Sequence, residues 1–212
     1  MKFNVMKTQM KFQKYLCLAM LIVGALSLVY AFCYASGGLA ALGQQLDSDW
    51  TAAPGKEDAT LFLEIQGFND ALMYCGIVMI LLAVLLYITS CHKRRNYYVS
   101  NYVATGVCAG GNIVISVVLM ALNAMWMGRF KNVDFEAWKE NNDLLSSGFI
   151  GGDTMTQYSE STAWFVIGFV VYSLVILASV LLVLNLVWKI KLMQGEKKLL
   201  NGSDTVEGGA AV

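Results

Sequence analysis

The sequence contains few charged residues, and those it has are clustered. Only 14% of its 212 residues are Asp, Glu, Lys or Arg, and 57% are hydrophobic, whereas about a quarter of the residues in soluble domains are charged. Four runs carry no charge and are long enough to cross a bilayer, at residues 15–46, 71–92, 96–128 and 161–188. This composition excludes a nucleic-acid-binding domain, a secreted disulfide scaffold and a disordered chain, and it predicts an integral membrane protein.

The chain also lacks the residue patterns on which most enzymes and metal sites depend. Its one histidine, His92, stands beside a basic triplet, whereas zinc sites need a cluster of ligands. The sequence contains no metalloprotease, phosphate-loop, nucleophile-elbow or CxxC motif. No Asp, Glu, Lys or Arg lies in the middle of a predicted membrane span, whereas proton-coupled transporters usually have an ionisable residue there. We therefore expect no enzymatic activity, no cofactor and no metal.

The charge-free runs predict an all-α integral membrane bundle of four transmembrane helices. A backbone in hydrocarbon must satisfy its own hydrogen bonds, and the runs lack the alternation of barrel strands. The predicted helices cover residues of about 15–36, 69–91, 98–127 and 162–188. They form one transmembrane domain over residues 1–194. Residues 195–212 are polar and small, so we expect a disordered cytoplasmic tail there.

The first charge-free run follows a lysine-rich segment, as in a secretory signal peptide. Its apolar stretch of about twenty residues exceeds the ~7–15 residues of a signal core. We therefore expect it to remain as a membrane anchor.

The distribution of basic residues predicts the orientation. Eleven of the 15 basic residues lie in the N-terminal segment, the second connection and the C-terminal segment, whereas the first and third connections contain four basic and twelve acidic residues. Cations concentrate on the cytoplasmic side of multi-pass proteins. The eleven are Lys2, Lys7, Lys11, Lys14, Lys93, Arg94, Arg95, Lys189, Lys191, Lys197 and Lys198. We therefore expect a multi-pass protein of the cell membrane with both termini cytoplasmic, and we expect Lys93, Arg94 and Arg95 to lie at the inner surface, where anionic lipid attracts cations.

The two extracytoplasmic connections are long and carry short helical extensions by prediction. Apolar residues continue at helical spacing before the second span, so that helix is expected to begin near Ala59 and to project outward. The residues that show this spacing are Leu61, Phe62, Ile65, Phe68 and Leu72. Phe135 and Trp138 indicate a similar extension after the third span.

The third predicted helix carries a polar stripe. At 100° per residue its members fall within about an 80° arc; they are Asn101, Thr105, Cys108, Asn112, Ser116 and Asn123. One interpretation is hydrogen bonding between helices of the bundle. The other is the wall of an aqueous or substrate-lined cavity, formed within one chain or by several chains around an axis. Asn185 of the fourth helix is the expected partner of Asn101 or Thr105.

Small residues predict a close contact between the first and third helices. Gly106 and Gly110, spaced four apart, lie opposite the polar stripe and permit close backbone approach. The first helix carries a seam of small residues, consisting of Gly24, Ser27, Ala31, Ala35 and Gly38. We expect this seam to pack against Gly106 and Gly110.

Two hypotheses for function follow. The first is a non-enzymatic membrane protein that acts by association, as an accessory subunit, scaffold or immunity-type factor. The second is an oligomeric channel whose pore is lined by the polar stripe. The expected partners are the lipid bilayer and either further copies of the chain or another membrane protein, and no nucleic acid.

Overall fold

The computed structural model describes residues 2–36, 52–57, 60–91, 99–135 and 161–207. Within these ranges the fold consists of helices and short connecting segments, with one isolated β-bridge between Glu57 and Val133, and the four long helices are labelled in chain order. They are α1 over Lys2–Ser36, α2 over Thr60–Cys91, α3 over Val99–Phe130 and α4 over Ala163–Glu207. Each is long and apolar enough to cross a membrane, which confirms the predicted all-α architecture of four candidate spans.

Two helices extend beyond their predicted ends. α1 begins at Lys2 rather than near residue 15, and α4 ends at Glu207 rather than near residue 188. The prediction ended both helices with the charge-free runs, yet lysine, glutamine, glutamate and leucine all favour helix. The backbone is helical as far as Glu207. The sequence alone predicts a disordered tail from residue 195 onward. Residues 208–212 lie outside the described ranges.

Successive helices run antiparallel, and their order in space follows the chain. α1 packs against α2 and α4, and α3 packs against the same two helices, so α1 and α3 lie diagonally across the bundle. Gln13 of α1 meets Ser90 near the end of α2, and Tyr30 meets Trp164 near the start of α4. The start of α1 and the end of α4 therefore lie at one end of the bundle, here called the termini end. The opposite end, which carries residues 52–57 and 131–135, is called the distal end.

The predicted start of the second helix is confirmed. α2 begins at Thr60, one residue from the predicted start. Four apolar residues of its first turns are buried at the distal end, where they join aromatic side chains of α3 and α4 in a hydrophobic cluster. The buried members from the extension are Leu61, Ile65, Phe68 and Leu72. The second expected extension stays a prediction, since α3 ends at Phe130, Phe135 packs against that ring with centroids 5.6 Å apart, and the residues after Phe135 lie outside the described ranges. Trp138 lies outside the described residues.

One arginine ties the distal end together. The Nε and Nη2 atoms of Arg129 each donate a hydrogen bond of 2.9 Å to the carboxylate of Glu57, and Nη1 donates to Glu64 of α2. The backbone N–H of Glu57 donates to the carbonyl of Asn132 at 3.0 Å. The segment at residues 52–57 is thereby joined to α2 and to the end of α3.

Candidate functional site

The polar stripe faces the interior of the bundle. Its six residues, all on α3, are at most 1% exposed within a single chain. The contacts of α3 are with α2 and α4, so the stripe lies against neighbouring helices of the same chain. Burial of this kind is what hydrogen bonding between helices requires.

At the termini end, Asn101 joins three helices. Its Oδ1 accepts a hydrogen bond of 2.6 Å from Lys189 Nζ of α4. Its Nδ2 donates to Ser90 Oγ at 2.9 Å and to Thr89 Oγ1 at 3.1 Å, both on α2. Lys189 is 1% exposed, and its Nζ lies 4.3 Å from the centroid of the Tyr102 ring. The ammonium is thus held inside the bundle by an amide oxygen and an aromatic face.

Two glutamines bring α1 into the same network. Gln13 Nε2 donates to Ser90 Oγ at 3.4 Å, and Gln13 Oε1 accepts from Asn185 Nδ2. Gln9 Nε2 donates to Asn185 Oδ1 at 3.3 Å. We call the connected residues the polar cluster; they are Gln9, Gln13, Thr89, Ser90, Asn101, Asn185 and Lys189. All four helices contribute to it.

The expected pairing of Asn185 with Asn101 or Thr105 is wrong. Asn185 is bonded to α1, and Thr105 Oγ1 donates to the carbonyl of Asn101 on its own helix at 2.7 Å. The reason is that α1 reaches further along α4 than the predicted span allowed. It therefore places Gln9 and Gln13 beside Asn185.

The middle of the polar stripe is less completely bonded. Asn112 Nδ2 lies 3.5 Å from Cys108 Sγ, a weak acceptor. Among the described residues, Asn112 Oδ1, Ser116 Oγ and Ser179 Oγ of α4 are buried with no hydrogen-bond partner. Buried polar atoms are normally bonded to protein or to water. A water molecule between α3 and α4 at this level would therefore satisfy atoms that lack a protein partner.

At the distal end, a glycine lets the stripe reach α4. Asn123 Nδ2 donates to the carbonyl of Phe165 at 2.7 Å, and Tyr30 Oη donates to the carbonyl of Trp164 at 3.0 Å. A methyl group added at Gly168 would lie 2.5 Å from Tyr30 Oη and 3.2 Å from Asn123 Nδ2. The two side chains can therefore occupy these positions only because residue 168 has no side chain.

The small seam of α1 contacts α2. Gly24, Ser27 and Ala31 are buried, and a methyl group added at Gly24 would lie 3.4 Å from the side chain of Ile80. Ser27 Oγ donates to the carbonyl of Gly24 at 2.8 Å. The side chain of Ala35, and all of Gly38, lie outside the described residues.

The predicted packing of Gly106 and Gly110 against this seam is wrong. Both glycines are exposed, and no atom lies within 4 Å of a methyl group added at either position. α1 and α3 are diagonal in the bundle, so their small faces do not meet. The close approach to α1 comes instead from Gly76 of α2, where an added methyl group would lie 3.2 Å from Leu28 Cα.

Sequence reasoning missed the contribution of Gln9, Gln13 and Lys189. From the sequence, Lys189 is interpreted only as a cytoplasmic cation. The two glutamines lie before the predicted start of the first helix. A signal was present, because Gln9, Gln13, Leu16 and Met20 recur at helical spacing, and all four are buried. The basic triplet Lys93, Arg94 and Arg95 lies outside the described residues.

The polar cluster offers amides, hydroxyls and one ammonium. Such groups donate and accept hydrogen bonds, so the cluster can hold four helices in register or bind a polar group. Comparison of the chain with protein-family models, curated proteins and solved structures finds no match. The geometry therefore provides the only basis for a functional proposal.

Proposed function

We propose that this protein is a non-enzymatic four-span membrane protein that acts by association, through the outward face of α3, with a transmembrane helix of another membrane protein or a second copy of itself. That face carries no side chain larger than valine over an arc of about 60°. We call it the outward stripe; its exposed members are Val99, Val103, Gly106, Gly110, Val117, Ala121, Ala124 and Gly128. It lies roughly opposite the buried polar stripe.

The open surroundings of Gly106 and Gly110 carry the proposal. A glycine within a helix costs about 1 kcal/mol relative to alanine, and in membranes this cost is offset where backbones approach closely. Gly24, Gly76 and Gly168 each have an atom of another helix of the chain at 3.4 Å or less from an added methyl group, and at Gly76 that atom belongs to the backbone. Gly106 and Gly110 have none within 4 Å. A transmembrane helix from outside the chain would approach Gly106 and Gly110 closely in the same way.

The charge distribution extends this proposal. We propose that the termini end faces the cytoplasm, because it carries most of the basic residues. The other face then bears twelve of the 15 acidic residues. These acidic connections provide a second contact surface, for a partner with basic residues near the membrane.

Bulk on the outward stripe should prevent association without unfolding the chain. We expect Gly110→Ile to abolish specific cross-linking through a cysteine placed at Val117, because the added side chain separates two helix backbones. Val166→Ile is the matched control, since Val166 is an exposed position on α4. Cross-linking is measured in native membranes and in purified bilayers, which distinguishes a partner from a second copy.

The proposal fails if Gly110→Ile and Val166→Ile give the same cross-linked species at the same yield. Thermal unfolding in detergent provides the folding control. It should be unchanged or slightly raised for Gly110→Ile, because isoleucine favours helix more than glycine does.

A channel is the second candidate, and the unbonded atoms of the polar stripe favour it. Asn112 Oδ1 and Ser116 Oγ lack protein partners among the described residues, so water between α3 and α4 would satisfy both. Because the stripe is buried in one chain, we propose that any such water path runs inside a bundle rather than between bundles.

Cysteine labelling distinguishes the two candidates. We expect Asn112→Cys to be inert toward a small membrane-impermeant thiol reagent, because Asn112 lies near the middle of α3 and is fully buried. The five native cysteines are first replaced, since Cys108 lies on the same stripe. Lys131→Cys, at an exposed position of the distal end, provides the positive control. Reproducible labelling at residue 112 would instead favour a water-filled path, and a change in conductance on labelling would identify a channel.

A further inference from the structure

A cleft opens between α1 and α2 near the termini end. Its volume is about 220 Å³, and its walls are formed by Lys14, Tyr15, Cys17, Leu18, Tyr87 and Ser90. It lies beside the point where Gln13 bonds to Ser90, and the candidate span of α2 ends at Ser90. We place the cleft near the boundary between hydrocarbon and lipid headgroups, because the α2 wall of the cleft includes the last residue of that candidate span.

The walls of the cleft are amphipathic along the axis of the bundle. Cys17 and Ser90 are buried and form its floor, whereas Leu18 and Tyr87 are 51% and 43% exposed and face outward. Lys14 and Tyr15 stand at the rim and are exposed. Tyrosine favours the membrane interface, where its ring contacts apolar groups and its hydroxyl contacts polar ones. The cleft thus combines an apolar groove with an ammonium and a phenol at its polar end.

We propose that this cleft is a binding site for one anionic phospholipid. An acyl chain lies in the groove along Leu18 and Tyr87, and the phosphate meets the Lys14 ammonium and the tyrosine hydroxyl at the rim. A cation at this depth attracts an anionic headgroup more strongly than a zwitterionic one. Pockets that enclose a small molecule measure about 300–1,000 Å³. A smaller, open cleft suits a ligand that remains partly in the bilayer.

Two substitutions test the site, each with a matched control. Lys14→Gln removes the cation and Leu18→Trp fills the groove, whereas Lys11→Gln and Ile22→Trp make the same changes at exposed positions that do not line the cleft. The full chain is placed in phosphatidylcholine nanodiscs with a minority of phosphatidylglycerol. Retained phosphatidylglycerol is then counted by native mass spectrometry after mild release. We expect Lys14→Gln and Leu18→Trp each to lower retention about five-fold.

The controls decide the interpretation. Both Lys11→Gln and Ile22→Trp should retain phosphatidylglycerol as the unaltered chain does. Equal losses for Lys14→Gln and Lys11→Gln would reduce the effect to diffuse surface charge and overturn the site. Unchanged retention by Leu18→Trp would also overturn it, because the groove would then be irrelevant. Retention of phosphatidylcholine at the same level as phosphatidylglycerol would contradict the proposed headgroup.

Discussion

Leucine at Gly76 is expected to destabilise the bundle severely, whereas leucine at Gly106 should leave it folded. At Gly76 the first added carbon would already lie 3.2 Å from Leu28 Cα. Because that atom belongs to the backbone, the remaining side chain fits only if α1 and α2 move apart. Overpacking of this kind costs about 3 kcal/mol. The measurement is the free energy of unfolding of each variant in the same detergent or bilayer.

Gly106→Leu is the matched control for this prediction. Both substitutions replace a glycine within a membrane-spanning helix by the same residue, so both gain about 1 kcal/mol of helix propensity. Only the surroundings differ, since no atom lies within 4 Å of an added carbon at Gly106. Equal stability of the two variants would contradict the contact between α1 and α2 described here.

Gly168→Leu should resemble Gly76→Leu for a different reason. The atoms that it would displace are the hydroxyl of Tyr30 and the amide of Asn123, and both donate hydrogen bonds to backbone carbonyls of α4. Crowding at this position therefore breaks polar contacts in addition to separating helices.

The contrast between these glycines shows which part of the fold the sequence predicts. Hydropathy and the absence of charge locate all four spans, because an uncharged run of that length has few alternatives to a membrane helix. The uniform hydrophobicity of a span does not indicate which of its faces is turned toward the bundle interior. Lipid tails are as apolar as leucine, so no hydrophobic face directs α1 or α2 toward a neighbour.

Polar residues in α3 made its rotation predictable. Asn101, Asn112 and Asn123 lie on one face, and an amide in hydrocarbon is costly unless it is bonded. The face they share is buried, as the hydrogen-bonding interpretation required. The glycine pattern was less informative, because a small residue permits close approach without specifying which helix approaches. Gly106 and Gly110 fit the expected spacing, yet the contacts within the chain are made by other glycines, among them Gly24, Gly76 and Gly168.

The polar cluster was partly predictable for a similar reason. Asn101 and Asn185 were recognised because they are polar residues within otherwise apolar charge-free runs. Gln9 and Gln13 were missed because lysines on either side of them suggested an aqueous segment. Those lysines are exposed on the opposite faces of α1, whereas the glutamines are buried. Charge alone therefore marks where a helix leaves hydrocarbon, and it does not mark where the helix stops packing.

Asn101→Leu should be the most damaging substitution in the polar stripe. It removes the oxygen that accepts the 2.6 Å hydrogen bond from Lys189 Nζ, together with the two bonds that the same amide donates to α2. Hydrogen bonds to charged groups contribute about 1.5–3 kcal/mol, so we expect a loss in the upper part of that range. Asn112→Leu is the matched control on the same face of α3. Its single contact to Cys108 predicts a loss of about 1 kcal/mol or less.

A double-mutant cycle with Lys189→Met isolates the contribution of the ammonium. Methionine resembles the apolar stem of lysine but has no charge. Lys189→Met should therefore offset part of the loss in unfolding free energy that Asn101→Leu causes. The loss in the double variant should then be smaller than the sum of the two single losses by about 1–2 kcal/mol. Additive losses would mean that Lys189 reaches the headgroup region when its amide partner is removed, as long cationic side chains near helix ends can do. In that case the hydrogen bond would fix the position of α4 without contributing much to stability.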